Sequence, residues 1–251
     1  MNAISSAADH YAGAAAPVRA DIVAEHARAL DHIARPGAWY SGAERILIAQ
    51  AARAARDCEL CRARKQALSP LSVEGEHTLT PGLSNTVVEA VHRIVTDPDR
   101  LGRTWFEGLM DEGLTAAQYV EIVGVVAHTV SLDTFARAAG VGLLPLPKPV
   151  SGSPSGYIPA CATPGPGWVP TIAKENASGP EADIYTDMMG ANIQRALTLV
   201  PDEMRSWFSL VGVQYLPQAW MRDFSREFRA ITHAQIEFLA ARVSALNRCI
   251  Y

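Results

Sequence analysis

The sequence LTAAQYVEIVGVVAHTVSLDTFARAAG spans Leu114 to Gly140 and has the pattern of a long helix. Thr115 suits the N-cap, and Gly140 suits the end, because glycine often follows the last helical turn. Other segments show the same helical spacing, and none alternates apolar with polar residues over the length of a strand. The sequence therefore predicts an all-α fold. Its further helices are expected at 22–33, 42–68, 86–95, 192–200, 202–211 and 225–247.

The segment 144–170, LPLPKPVSGSPSGYIPACATPGPGWVP, interrupts the helical pattern. Its proline, glycine and serine content is typical of an extended linker without regular structure. We therefore expect a disordered start at 1–20, a helical lobe at 21–143, a linker at 144–178 and a second helical lobe at 179–251.

Two short matches occur in the same order on both sides of this linker. PDRLGRTWF (98–106) resembles PDEMRSWF (201–208), and AQYVE (117–121) resembles AQIE (234–237), each with one residue fewer in the second copy. Repeats in a fixed order indicate a duplicated unit. The alternative is chance similarity between short helical stretches.

Composition narrows the class of protein. The net charge is −4 and the pI about 6.0, so the basic footprint of a nucleic-acid-binding protein is absent. The N-terminus lacks the basic and apolar regions of a signal peptide, and no run reaches the ~18 apolar residues of a membrane helix. We expect a cytoplasmic protein that binds neither nucleic acid nor membrane. Its four cysteines then favour redox or metal chemistry over structural disulfides.

The end of the chain carries the most specific motif. Glu237 is followed by eleven residues, FLAARVSALNR, and then by Cys249. This pattern resembles the AhpD-like (alkylhydroperoxidase and carboxymuconolactone decarboxylase-like) superfamily, where a Glu, eleven residues and Cys-x-x-Cys-x-x-x-His form the redox site. Cys249, Ile250 and Tyr251 correspond to the first cysteine and both spacer residues.

The resemblance implies two tandem AhpD-like lobes and a peroxidase that needs no cofactor. Glu237 would belong to a proton relay, and Cys249 would be a redox cysteine. The partners implied are a hydroperoxide substrate, a thiol reductant and further copies of the chain in a homo-oligomer. A carboxymuconolactone decarboxylase-like enzyme and an inactive paralogue are the alternatives.

Helix geometry explains why this spacing needs a break. Twelve positions along a straight helix separate two residues by ~18 Å. Asn247 is a good breaker and N-cap, so a new helix can begin near Cys249. At a helix N-terminus the dipole and free N–H groups stabilise a thiolate and lower its pKa.

In the superfamily the position after Tyr251 would hold the second redox residue. We hypothesise that this position is a selenocysteine encoded by UGA, with a histidine four residues later. Residues 1–251 alone are then expected to show weak peroxidase turnover. An ordinary C-terminal cysteine on a truncated or decayed paralogue is the alternative.

A second candidate site is the pair Cys58 and Cys61, spaced Cys-x-x-Cys. Asp57 suits the N-cap of a helix that starts at Cys58, and Arg62 and Lys65 would favour thiolates one helical turn later. The pair is therefore a candidate redox site.

This pair departs from the superfamily pattern. Ile46 stands where the motif has Glu, Glu44 is fourteen residues before Cys58, and Lys65 replaces the histidine. Two small core residues are a competing interpretation. Zinc is a further alternative with His77 as a distant ligand, but a second ligand pair at finger spacing is missing.

The remaining residues are given structural roles. Glu121 would be an inactive relic of the motif, because Asp133 stands where it needs Cys. His128 is either a hydrogen-bonded core histidine or a relay group. His92 and His233 are expected at the surface. Cys161 has no predicted role, and core packing is expected of Trp105, Phe106, Trp207 and Phe208.

Overall fold

The computed structural model describes residues 3–165, 167–247 and 249, with side chains from residue 7 onward. Within these residues the fold is all-α, as predicted, and the nearest approach to a sheet is one bridge between Thr163 and Thr171. The α-helices are α1 (Ala3–Tyr11), α2 (Ala20–Ala34), α3 (Gly42–Ala54), α4 (Glu59–Gln66), α5 (Asn85–Thr96), α6 (Arg103–Asp111), α7 (Ala116–Ala138), α8 (Asn192–Arg195), α9 (Pro201–Gln214) and α10 (His233–Leu246).

Helix α7 lies at the centre of the fold and contacts α2, α3, α5 and α9. Thr115 is its N-cap, as predicted, and forms a capping box with Gln118. In the described part of the chain, α7 alone is long and apolar enough to cross a membrane, yet 61% of that window is buried inside the fold. Its Asp133 is also paired with Arg53 at 2.8 Å. These contacts are those of a core helix.

The helix predicted at 42–68 is interrupted. A short 3₁₀ turn at Ala55–Asp57 follows α3, and the extended backbone of Cys58 separates it from α4. Cys58, and not Asp57, is therefore the N-cap of α4. After this break in the helix, α4 packs against α5.

Two predicted helices in the C-terminal part are shorter than expected. Helix α8 has four residues, and α10 begins only at His233. The start of α10 is set by Thr232, which is the N-cap and forms a capping box with Gln235. Such a box satisfies N–H groups at both ends of the first turn, so the chain before Thr232 has no need to be helical.

Two stretches were expected to lack regular structure. The start of the chain contains a helix, whereas the linker has neither helix nor strand over most of its first half. Residues 3–11, inside the start predicted to be disordered, form α1, which packs on α2 and buries Ala7 and Tyr11. Residues 143–159 have no helix or strand. This extended segment is nevertheless held to the α2–α3 connection, because the N–H of Val150 donates to Ala34 O at 2.8 Å.

Helix α9 joins the C-terminal part of the chain to the core. It contacts α2 and α7, and its Leu210 is fully buried in the main apolar cluster. A second apolar cluster forms between the start of α7 and the segment before α9, and includes Val120, Ile172 and Met204.

Candidate functional site

Cys58 and Cys61, both predicted as site residues, lie side by side in the fold and share their surroundings with two histidines. One ligand atom from each of Cys58, Cys61, His77 and His92 lies within 4.8 Å of every other. We call these four residues the Cys/His cluster. Three of them are buried, and His77 is partly exposed.

Three different elements deliver these side chains. Cys58 caps α4, and Cys61 lies in its first turn. His77 comes from the irregular stretch between α4 and α5, and His92 lies on α5. The expectation that His92 lies at the surface is wrong, since it is fully buried. It follows Val88 by one helical turn and so lies on the face of α5 that packs against α4.

The sulfur-to-nitrogen distances within the cluster are short and similar. Cys61 Sγ lies 3.4 Å from His77 Nδ1 and 3.3 Å from His92 Nδ1. Cys58 Sγ lies 3.6 Å from His77 Nδ1 and accepts a hydrogen bond from the Thr78 N–H at 3.5 Å. His77 therefore directs Nδ1 at both sulfurs, and His92 directs its Nδ1 at the sulfur of Cys61.

A second layer of side chains holds His77 in place. Its Nε2 lies 2.6 Å from Glu89 Oε2. Glu89 also accepts hydrogen bonds from Arg64 at 2.8 Å and from the Trp105 indole N–H at 3.0 Å. The imidazole is thus oriented from its far side by a carboxylate that is itself fixed.

These contacts shift the pKa values of the cluster. Burial opposes the change, but backbone N–H groups of Cys61 and Thr78, together with His77, lower the pKa of Cys58 to about 6. Burial is likewise outweighed at His77, where Cys61 and Glu89 raise the pKa to about 10. Backbone donors and an imidazolium therefore stabilise a thiolate here. Lys65, which was expected to do so, is instead paired with Asp97 at 3.4 Å and Asp99 at 3.2 Å.

His92 differs from His77. Burial, followed by repulsion from His77, lowers the pKa of His92 to about 4, so its imidazole is neutral near pH 7. Its Nε2 is buried and has no hydrogen-bond partner among the described residues. The cluster therefore combines two thiols, one neutral imidazole and one imidazole backed by a carboxylate. Such a set can bind a soft or borderline metal ion or support thiol chemistry.

A cavity of about 530 Å³ opens beside this second layer. His77, Glu89, Trp105 and Arg64 contribute to its wall. Through His77 the cavity connects the buried cluster to the surface.

Glu237 and Cys249, the other predicted site residues, lie at the C-terminal helix. The Tyr215 hydroxyl donates to Glu237 Oε1 at 2.6 Å, and His233 Nε2 lies 3.4 Å from the same oxygen. His233 was expected at the surface, but it is 3% exposed, because it stacks on Phe224.

A helix end close to Asn247 was expected, and the new helix expected to begin near Cys249 lies outside the described residues. Helix α10 ends at Leu246, and the N–H of Cys249 donates to Ser244 O at 2.9 Å, which turns the chain back over the last helical turn. Cys249 is exposed. Ile250 and Tyr251, the predicted spacer residues, lie outside the described residues.

Glu237 lies on α10 and Cys249 follows it, whereas the Cys/His cluster is formed by α4, α5 and the connection between them. An apolar groove of about 890 Å³ runs along α10 and is lined by Tyr215, Ile236, Val243 and Ser244 among others.

Cys161, which has no predicted role, is partly exposed with its sulfur 3.8 Å from Glu181 Oε2.

A buried ion network was missed by the sequence analysis. Arg45 Nη1 lies 2.6 Å from Glu121 Oε1 and 2.6 Å from Glu203 Oε1, and all three side chains are fully buried. Glu203 is also bound by His32 at 2.9 Å. Glu121 accepts the Trp39 N–H at 2.6 Å, in keeping with the packing role expected of it.

His128 lies at the edge of this network. Its Nδ1 donates to Gly124 O at 2.7 Å, and its Nε2 lies 2.9 Å from Ser206 Oγ. Of the two roles left open for it, these contacts fit the hydrogen-bonded core histidine. Trp105 and Phe106 are buried as expected, while Trp207 and Phe208 are partly exposed.

No family model, no curated protein and no solved structure matches this chain.

Proposed function

We propose that this protein is a thiol-dependent peroxidase of the AhpD-like superfamily and that Cys249 is the thiol that meets the hydroperoxide. The observation that carries the proposal is the end of α10. The helix that holds Glu237 stops at Leu246, and the turn after it presents an exposed Cys249. An exposed thiol directly after the helix that carries Glu237 supports the role of redox cysteine that the Glu-x11-Cys motif gives to Cys249.

The chemistry starts at the sulfur. The Cys249 thiolate attacks one peroxide oxygen and becomes a sulfenic acid, while the O–O bond breaks and the alkoxide leaves as the alcohol after taking a proton. A second thiol then attacks the sulfenic sulfur, which forms a disulfide and releases water. A thiol reductant returns the disulfide to two thiols. Each cycle therefore consumes one peroxide and two reducing equivalents.

Glu237 is suited to the proton transfer in this scheme. Its carboxylate is held by Tyr215 and His233, both within 3.4 Å. Tyr215 donates a hydrogen bond to this carboxylate, and a hydrogen-bonded hydroxyl can pass a proton to or from it. By resemblance to the superfamily motif we place Glu237 in a proton relay that serves the Cys249 thiol. Helix α10 is unbroken from Glu237 to Leu246, about 13 Å at ~1.5 Å per residue, so the relay passes the proton through at least one further group.

The proposal includes two tandem lobes. Helices α7 and α10 both begin at a Thr N-cap with a Gln capping box, Thr115 with Gln118 and Thr232 with Gln235. Each follows a helix that contains the repeated Trp-Phe pair, α6 and α9 respectively. This shared start supports a duplicated helix pair. The same proposal places the protein in the cytoplasm, as a homo-oligomer that a thiol reductant returns to the reduced state.

Trapping of the sulfenic acid tests the proposal without requiring turnover. The reduced protein is mixed with limiting cumene hydroperoxide and dimedone, and each cysteine is quantified by mass spectrometry. We expect Cys249 to be modified at least about tenfold faster than Cys161, because general-base assistance contributes about that much or more. Glu237→Gln should remove most of this advantage, and Glu175→Gln, at an exposed position, should leave it unchanged.

Equal rates at Cys249 and Cys161 would contradict the proposal. Thiol alkylation separates the alternatives, because a carboxymuconolactone decarboxylase-like activity would survive it and a thiol peroxidase would not.

A further inference from the structure

We propose that Cys58, Cys61, His77 and His92 bind one Zn²⁺ ion in a tetrahedral site with two sulfur and two nitrogen ligands. This inference goes beyond the proposed function, which concerns Cys249. It gives the first cysteine pair a structural role in place of a redox role.

The distances between the donor atoms match such a site. Zinc lies about 2.3 Å from a thiolate and about 2.1 Å from an imidazole nitrogen, so tetrahedral ligands place sulfur and nitrogen about 3.6 Å apart. The three measured sulfur-to-nitrogen distances are 3.6, 3.4 and 3.3 Å. An ion at the centre of the four atoms requires only small adjustments.

Charge balance also favours a divalent cation. Two thiolates, Cys58 and Cys61, neutralise Zn²⁺, and both histidines bind it as neutral imidazoles. Glu89 and Arg64, 2.8 Å apart, neutralise each other beside the site. The buried region therefore carries no net charge when zinc is bound, which removes the main penalty for burying ions.

The carboxylate of Glu89 orients His77 in the way that is common for zinc-binding histidines. A ligating histidine commonly donates its other ring N–H to a carboxylate, which fixes the ring and strengthens the ligand. Glu89 accepts from His77 Nε2 in this way at 2.6 Å. With Nδ1 of His77 on the metal, the Nε2 proton is directed at Glu89, so the ring needs no rearrangement.

The apolar packing around the Cys/His cluster is sparse, so a bound metal would add to its stability. Around the cluster the buried apolar residues are Cys58, Leu60 and Cys61, with Val73 partly buried against them. The connection between α4 and α5 leaves Leu68, Leu71 and Leu79 exposed. Few apolar contacts thus hold this connection, and a metal bound by both helices and His77 would secure it.

Four protein ligands complete the zinc coordination sphere. Catalytic zinc sites use three protein ligands and keep a position for water or substrate, whereas structural sites are closed. We therefore assign a structural zinc, and its thiolates are withheld from peroxide chemistry.

The metal content of the purified full chain is the first test. After loading with Zn²⁺ and removal of excess metal on a desalting column, we expect about one zinc per chain by mass spectrometry. Cys61→Ser and His92→Asn should each lose most of it, and Cys161→Ser should retain it. A wild-type chain with no bound zinc, or equal zinc in all four proteins, would overturn the proposal.

Spectroscopy of the wild-type chain keeps the test independent of how the variants fold. X-ray absorption at the zinc edge should show two sulfur ligands at about 2.3 Å and two nitrogen ligands at about 2.0–2.1 Å. Co²⁺ in place of zinc should give the visible bands of a tetrahedral ion with thiolate ligands. A shell of oxygen and nitrogen alone, or octahedral Co²⁺, would refute the site.

Discussion

Arg45 Nη1 and Glu203 Oε1 lie 2.6 Å apart although 158 positions of sequence separate the two fully buried residues. Their contact joins α3 to α9. Glu121 on α7 shares the same guanidinium nitrogen, so one cation serves two carboxylates. Burial raises the pKa of Glu121, whereas at Glu203 Arg45 and His32 outweigh burial and hold the pKa below its usual range. The network therefore ties three core helices together through charge.

Removal of the shared cation should destabilise the fold strongly. Arg45→Met leaves two buried carboxylates without their main partner, and breaking a buried pair from one side costs about 3–5 kcal/mol. Urea denaturation of the two proteins at pH 7 measures this change in the free energy of unfolding. Arg35→Met is the matched control, since Arg35 forms an exposed pair with Asp31 at 2.7 Å and its loss should cost far less than that of Arg45. Equal losses in the two variants would show that the network contributes no more than a surface pair.

Acid should weaken the fold through His128. Burial, aided by His32 and Arg45 and opposed by Glu203, lowers the pKa of His128 to about 4, against about 6.5 in an unfolded chain. Between these values the unfolded state binds more protons than the folded state, so stability falls by about 1.4 kcal/mol for each unit by which the pH is lowered. His26, whose pKa burial also lowers to about 4, adds a similar slope.

Urea midpoints measured from pH 6.5 to pH 4.5 test this expectation. His128→Gln should reduce the pH slope of the unfolding free energy by about 1.4 kcal/mol per unit, because glutamine has no proton to gain in this range. His10→Gln serves as the control and should retain the full slope. An unchanged slope in His128→Gln would mean that His128 does not titrate as its burial requires.

Local signals were sufficient to predict the all-α class and helices such as α7, but they did not predict α1, α6 or the Cys/His cluster. Thr115 and its capping box lie within four residues, so the start of α7 could be predicted from the sequence. His77 and His92 are separated from the cysteines and from each other by an irregular connection, and no spacing rule links them. Only the packing of α4 on α5 brings them together. His92 was expected at the surface because its side chain is polar, but it lies on the buried side of α5.

The same reasoning applies to the ion network. Arg45, Glu121 and Glu203 lie on three different helices, and the local sequence around each does not show which distant partner a buried charge would meet. Their partnership depends on the contacts of α9 with α2 and α7, which are tertiary. Long-range pairs of this kind become visible only when the fold is known.

Loss of the carboxylate behind His77 should weaken zinc binding while the four ligands remain. Glu89→Gln removes the negative charge that orients the imidazole, and second-layer partners of this type contribute about 10–100-fold to metal affinity. Competition with a chromophoric chelator at pH 7 measures the dissociation constant. Glu107→Gln, on an exposed carboxylate 4.0 Å from Arg103, is the control and should bind like the wild type. An affinity for Glu89→Gln within twofold of the control would separate Glu89 from the metal site.

Thiol counting should distinguish a zinc site from a redox pair at Cys58 and Cys61. The chain has four cysteines, and zinc would protect two of them, so Ellman's reagent should react quickly only with Cys161 and Cys249 in the native, zinc-loaded protein. A strong chelator should release the ion and increase the number of reactive thiols toward four, since unbound thiolates near neutral pH are nucleophilic. Limiting hydroperoxide should oxidise Cys249 in the loaded protein and leave the first pair reduced. Rapid formation of a Cys58–Cys61 disulfide with zinc present would instead return the peroxide chemistry to that pair, because coordination to zinc withdraws negative charge from a thiolate and lowers its nucleophilicity.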